Sequence, residues 1–383
     1  MASYFPPAPA PKSNLSRYRL LSPTASVWVS PICLGAMNFG DSWSHWLGEC
    51  TKETTEDILD YFYEQGGNFI DTANNYQCGE SETRIGNWMK SRGNREQMVI
   101  ATKYTTAFIP VEGGAKIKVN FNGCGAKSLN ASITASLQRL QTYYIDLLYV
   151  HWWDYNTSIP EMMQALNSVV LGGRVLYLGI SDAPAWVASK ANEYARNHGM
   201  RQFSVYQGKW SAAHRDLERD IIPMCRAEGM ALAPWGSLGG GKFKSTEPFR
   251  MLRVRDEKPT QEHTDQEKMV LATLEAVARR KSAAVTGVAI AYVMHKAPYV
   301  FPVLGGRKVE HIKNNIDALN IALNAEDIRE IEAAAPFDLG FPHNFLWGKR
   351  VPAAQGDVNF AVLGGSYDHV EDVKPITPAK AAE

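Results

Sequence analysis

Four residues of chemically versatile types stand just past short runs of β-branched and apolar side chains. Asp71 ends NFID and Tyr76 comes 5 residues later; Lys103 closes VIATK, 27 residues beyond Tyr76; His151 closes LLYVH, 48 residues beyond Lys103. A Tyr, a Lys, an Asp and a His brought to one place suit giving a proton to a carbonyl oxygen while hydride reaches its carbon. The phenol would be the donor. Its reference pKa is about 10, and an ammonium that favours phenolate would bring its acidity nearer working pH, so Lys103 is expected beside Tyr76. An ammonium in a water-poor cleft tends to lose its proton unless a carboxylate faces it, which gives Asp71 its place. His151 would donate a hydrogen bond to the same oxygen, orienting it and steadying developing charge.

Taken singly, these residues have ordinary uses: a half-exposed loop tyrosine, a strand-end lysine in water, a hydrogen-bonded core histidine. Asp71 is too distant to cap the next helix, which is expected to begin near Gly79 and Glu80. Whether the four converge depends on the elements that carry them.

Those elements alternate. PICLG precedes ETTEDILDYFYEQG, NFIDT precedes GESETRIGNWMKSRG, QMVIATK precedes KSLNASITASLQRLQT, and YIDLLYVH precedes PEMMQALNSVVLGG. RVLYLGIS then leads to APAWVASKANEYARNHG, QFSVYQ to RDLERDIIPMCRAEG, MALAPW through a long loop to KMVLATLEAVARRK, and YVFPVLG to VEHIKNNIDALN. The first of each pair reads as a strand and the second has helical spacing. Eight such units with strands apolar on both faces predict an α/β fold, a single (β/α)8 TIM barrel. Strand ends in such a barrel share one rim, where Asp71, Lys103, His151, Ser181, Asp182 and Gln207 all fall. YRLLSPTASVWVS, two runs about a Ser-Pro-Thr turn, predicts an N-terminal β-hairpin able to plug the lower end. Residues 104–127, 236–264 and those from about 335 onward exceed ordinary connections, and are expected as long upper-face loops shaping a mouth. The division that follows is a flexible Pro- and Ala-rich arm over 1–14, the barrel over 15–335, and a tail over 336–383 near the mouth.

Composition narrows the class. The 383 residues are 45% hydrophobic and 21% charged, enough for a large core and against general disorder. Forty basic residues balance forty acidic ones, so no overall field draws the chain to nucleic acid or anionic membrane. RMLRVRDEK, from Arg250, reads as a solvated loop face because acids follow at once. Five scattered cysteines fit a reducing compartment, and none has metal-knuckle or redox-pair spacing. With no leader-like opening and no membrane-length apolar run, a cytoplasmic protein acting on a small molecule is expected.

At this point the residues resemble the aldo-keto reductase superfamily. NFIDTANNY carries its Asp and Tyr, VIATK its Lys and LLYVH its His, in the same order, and the likeness runs from about Arg19 to Leu319. WGSLGGGKF from Trp235, GISDAPAW from Gly179 and FDLGFP from Phe337 resemble the fungal aryl-alcohol dehydrogenase and norsolorinic-acid reductase branch. The resemblance implies NADP(H) extended across the barrel mouth, with Asp71, Tyr76, Lys103 and His151 as the catalytic set. It further implies Ser181, Asp182 and Gln207 on the nicotinamide carboxamide, Trp235 stacked on its ring, and Gly35 and Met37 nearby. Asp182 stands where many relatives have Asn, and an ionised carboxylate cannot donate to the carboxamide oxygen. Gly236, Ser237, Leu238, Gly241 and Lys242 would form a closing loop over the diphosphate, glycines allowing close backbone approach. VLGGRKVEHIKNN resembles the adenosine-phosphate segment, with Arg307 reading a 2′-phosphate, His311 beside it and Asn315 on adenine.

Trp43, Trp46, Trp152 and Trp153, with Phe337, Phe341 and Trp347 in the tail, either form a flat apolar substrate wall or pack the upper loops. The expected activity is reversible NADPH-dependent reduction of aromatic aldehydes or ketones, with no metal. Its rivals are a secondary-metabolite polyketide ketone reductase and a non-catalytic NADPH-sensing subunit. A homodimer is compatible with the sequence.

Overall fold

The computed structural model describes residues 8–108, 116–243, 263–347, 360, 363–368 and 370–378. The RMLRVRDEK cluster, most of 236–264, half of the 1–14 arm and parts of the 104–127 loop and the tail lie outside the described residues.

Ten strands run in chain order: β1 (Arg19–Ser22), β2 (Ala25–Val29), β3 (Cys33–Gly35), β4 (Phe69–Asp71), β5 (Val99–Tyr104), β6 (Ile145–Val150), β7 (Val175–Ser181), β8 (Phe203–Lys209), β9 (Ala231–Trp235) and β10 (Val303–Gly305). The last eight form one parallel sheet ordered β10-β3-β4-β5-β6-β7-β8-β9. Every residue of β5 and β6 is buried, as strands covered on both faces require. Across the remaining seam the Leu232 N–H donates to the Tyr299 carbonyl at 2.9 Å and the Phe301 N–H to the Leu232 carbonyl at 2.8 Å, closing the barrel. The eight-stranded barrel expected from the alternation is the one observed.

Register places the reactive side chains on one rim. Gly35 pairs with Asp71, Lys103 with Tyr149, Ser181 with Gln207, and Gln207 with Ala233. At the opposite end β1 and β2 pair antiparallel, and Leu21, Ala25 and Val29 bury against Phe69, Val99, Leu147 and Phe301. The Thr24 hydroxyl at the hairpin tip donates to the Gly229 carbonyl at 3.0 Å, fixing this plug.

Twelve helices accompany the strands among the described residues: α1 (Ser44–Leu47), α2 (Lys52–Glu64), α3 (Glu80–Arg92), α4 (Ala126–Leu140), α5 (Ile159–Leu171), α6 (Ala185–Asn197), α7 (Ile221–Glu228), α8 (Asp265–Lys281), α9 (Val285–Lys296), α10 (Val309–Asp317), α11 (Ala325–Ala334) and α12 (His343–Trp347). Their starts carry local signals: Thr51 and Ser158 accept from backbone N–H groups three residues on, and Thr264 with Glu267 completes a capping box. The alternation did not anticipate α9. Nine of its twelve residues are buried, so it shows no polar stripe from which a helical period can be read. The start of the tail packs on the connection after β8, where Arg219 donates to the Leu339 and Asp338 carbonyls at 3.1 and 3.0 Å.

Candidate active site

The end of β5 sets Lys103 at the centre of the rim, with no exposed surface. Its ammonium donates to Asp71 Oδ1 at 2.5 Å, the Thr72 carbonyl at 2.8 Å and the Tyr76 hydroxyl at 3.4 Å. Gln207, from β8, donates through Nε2 to Asp71 Oδ2 at 2.9 Å, so both carboxylate oxygens are engaged. The Tyr76 ring meets His151 edge-on, with centroids 5.9 Å apart. All four residues singled out for proton chemistry therefore converge.

Their electrostatics depart from expectation at one point. Burial pushes the Tyr76 phenol above its ordinary value, and the pull of Lys103 toward phenolate does not offset it, partly because Asp71 lies near. The phenol therefore keeps its proton at neutral pH, the state a donor needs. Burial works to deprotonate Lys103, yet Asp71 and Tyr76 hold its ammonium above the usual range. Burial and then the Lys103 charge lower His151 to about 3, leaving a neutral imidazole.

Next to this cluster lie Ser181 at the end of β7, Asp182 one residue on, and Trp235 at the end of β9. The Trp235 indole N–H donates to Asp182 Oδ1 at 3.2 Å, and Asp182 adopts a φ of 41° that Asp and Asn tolerate better than most residues. The buried hydroxyl of Ser237 has no hydrogen-bond partner among the described residues. Such an oxygen beside the rim suits a polar ligand group, since an unmatched buried hydroxyl is costly. Gly236 and Gly241 have φ of 73° and 89°, which side chains resist, around half-buried Leu238. Lys242 is held by Glu267 of α8, at 2.8 and 2.7 Å from its two carboxylate oxygens. Gly35 approaches β10 so closely that a Cβ would lie 3.0 Å from Val303, and Met37 is exposed just beyond.

His311 and Asn315, four residues apart, share one face of α10, and Arg307 stands just before the helix's N-cap, Lys308. The Arg307 N–H donates to His311 Nδ1 at 3.3 Å, and Asn315 is buried. The Arg307 guanidinium lies against Gly48 of the β3–α2 connection, where any Cβ would collide with it. These residues thus form a second polar group near the end of β10.

The tryptophans divide between the two expectations. Trp43 packs edge-on against Tyr76 at 6.3 Å and against the exposed Trp46 at 6.0 Å, whereas Trp153 is buried. Trp152 is half-buried and donates through Nε1 to Thr106 Oγ1 at 2.9 Å. Two contributors were not foreseen. Gln77 accepts from the Trp43 N–H at 2.7 Å and donates to the Met37 carbonyl at 3.0 Å. Thr106 touches both Trp152 and His151. Only their position beside recognised residues marks them; nothing in their own types does.

A parallel eight-stranded barrel with an Asp-Lys-Tyr-His cluster at the strand ends defines a class of carbonyl-reducing oxidoreductase. Comparison with known proteins agrees: residues 31–336 match the model of the aldo/keto reductase family, and the chain belongs to that family. It is 56% identical to a norsolorinic acid reductase B from Dothistroma septosporum, over 94% of both chains. It is 53% identical to an aryl-alcohol dehydrogenase from Pestalotiopsis microspora, over 98% of this chain and 97% of the other. With an aldo-keto reductase from Aspergillus calidoustus the identity is 49%, over 89% and 88%. The protein is an oxidoreductase of a family that generally uses a nicotinamide cofactor.

Proposed function

We propose that the protein reduces aromatic aldehydes or ketones to alcohols with NADPH, reversibly, and that Tyr76 gives the proton. The observation that carries this reading is the buried Lys103 ammonium lying between Asp71 and the Tyr76 hydroxyl. Ser181, Asp182, Gln207 and Trp235 would hold the nicotinamide end, the loop from Gly236 to Lys242 the diphosphate, and Arg307, His311 and Asn315 the adenosine 2′-phosphate. The orphaned Ser237 hydroxyl supports such a ligand. When bound, NADPH supplies the hydride.

The rest of the chemistry belongs to side chains. A substrate carbonyl oxygen placed between Tyr76 and His151 accepts hydrogen bonds from the phenol and from the neutral imidazole. As negative charge grows on that oxygen, Tyr76 passes its proton across, and the phenolate that forms is balanced by the Lys103 ammonium. Asp71 keeps that ammonium charged and in place. Trp43 and Trp152 give the oxygen a flat apolar approach suited to an aromatic carbonyl.

A second reading, a fused-ring polyketide ketone as substrate, is favoured by the similarity to norsolorinic acid reductases. Following NADPH absorbance with a substituted benzaldehyde and with a hydroxylated anthraquinone ketone separates the two. Preference for the aldehyde supports the first reading, preference for the ketone the second, and turnover of neither contradicts both.

A further inference from the structure

We infer that Thr106 is a positioning residue: by linking the Trp152 indole to His151 Nδ1, it fixes the tautomer in which Nε2 carries the proton. This rests on the proposed reductase reading for its catalytic consequence, though not for its geometry.

An indole N–H can only donate, so the 2.9 Å contact runs from Trp152 Nε1 to Thr106 Oγ1. The Thr106 hydroxyl then has one proton to give. Among the described residues the acceptor within reach is His151 Nδ1, at 3.1 Å. In the opposite arrangement Nδ1–H and the indole would both donate to one oxygen, and the hydroxyl proton would have no protein partner. The arrangement that satisfies every donor is Trp152 to Thr106 to His151 Nδ1, which leaves the single imidazole proton on Nε2. An imidazole lowered to about 3 is neutral at working pH, so it has a tautomer to choose. A ring protonated on Nε2 can donate to a carbonyl oxygen; one protonated on Nδ1 presents a lone pair and repels it.

The backbone beside Thr106 is held in a way that serves this contact. Thr105 adopts a φ of 102°, unfavourable for a β-branched residue. It stays there because the His151 N–H donates to Thr105 Oγ1 at 3.3 Å and the Gly123 N–H to the Thr105 carbonyl at 2.8 Å. The strained turn at the end of β5 is thus tied to the residue whose imidazole Thr106 touches. Proton orientation at the site and the tilt of the Trp152 wall share one hydroxyl.

The test compares Thr106→Val, which keeps the shape and removes the hydroxyl, with Thr106→Ser, which keeps the hydroxyl. Long-range proton–nitrogen NMR of the full chain with nitrogen-15-labelled histidine reads which ring nitrogen is protonated. His151 is assigned as the signal missing from His151→Gln. The expected result is Nε2–H in the wild type and in Thr106→Ser, and loss of that single tautomer in Thr106→Val. In parallel, kcat for an aromatic aldehyde should fall about tenfold to a hundredfold in Thr106→Val, less than deletion of an oxyanion donor costs, and recover in Thr106→Ser with KM for NADPH unchanged. A wild type protonated on Nδ1, or a Thr106→Val protein with an unchanged tautomer, overturns the inference. A wild type without carbonyl turnover overturns the reductase reading instead, while the NMR result still decides the tautomer.

Discussion

At the scale of single residues, the site depends on charges that cannot be removed one at a time. Lys103 is fully buried and held by Asp71, so Asp71→Asn leaves an ammonium without its carboxylate, at a cost of about 3–5 kcal/mol. Urea unfolding should show that loss, and Asp71→Asn with Lys103→Met should recover part of it; a double variant as unstable as the sum would refute the pairing. His151 gives a pH signature. The unfolded chain binds a proton on it near pH 6.5, whereas the folded protein resists until about 3, so stability falls as pH drops through that window. The slope is up to about 1.4 kcal/mol per unit, and His151→Gln should flatten it in acid-unfolding curves. The tetrad was legible because four rare coincidences of type and position point to one rim. Thr106 and Gln77 were not, because a threonine or glutamine in a loop gives no signal until its neighbours are known. The acidity of Tyr76 departs from the sequence expectation for a related reason: the Lys103 charge is visible in the sequence, but the depth of burial that outweighs it is not.

At the scale of elements, the barrel divides into a rim that carries the candidate site and a base that holds shape. Leu21 of the hairpin plug is fully buried among base residues on the side away from Lys103. Leu21→Ala should cost about 2–5 kcal/mol in urea unfolding, with kcat of the folded enzyme kept within about twofold. A large fall in kcat at unchanged stability would mean that hairpin and rim are coupled. The eight strands could be read because each is a short apolar run between turn residues, and α2 to α8 because each keeps one polar face. α9 could not. Its VTGVAIAYVMH stretch is apolar all round, which from periodicity alone is indistinguishable from a buried strand.

For the whole molecule, balanced charge and one continuous barrel leave specificity to ligand contacts made at the rim. If the Arg307 group reads a 2′-phosphate, NADPH should raise the thermal midpoint more than NADH at equal concentration, and the gain should grow with the logarithm of concentration. Arg307→Ala should bring the two dinucleotides together in the same melting series. Equal stabilisation by both in the wild type would contradict the assignment of Arg307. Phe337, where the tail begins, packs on the connection after β8: the Arg215 and Arg219 guanidinium groups stand over its ring. A sequence reading can mark such a segment as too long for a connection, but not which loop it meets, since that contact spans more than a hundred residues.

The central claim is that Tyr76 supplies the proton. Single-turnover oxidation of NADPH by the wild type and by Tyr76→Phe, with an aromatic aldehyde at saturation, tests it most directly. The expected result is a fall of about 10²- to 10⁴-fold in the variant with NADPH affinity retained, because the ring and the Lys103–Asp71 pair remain while the hydroxyl is gone. Equal rates in the two proteins would contradict it.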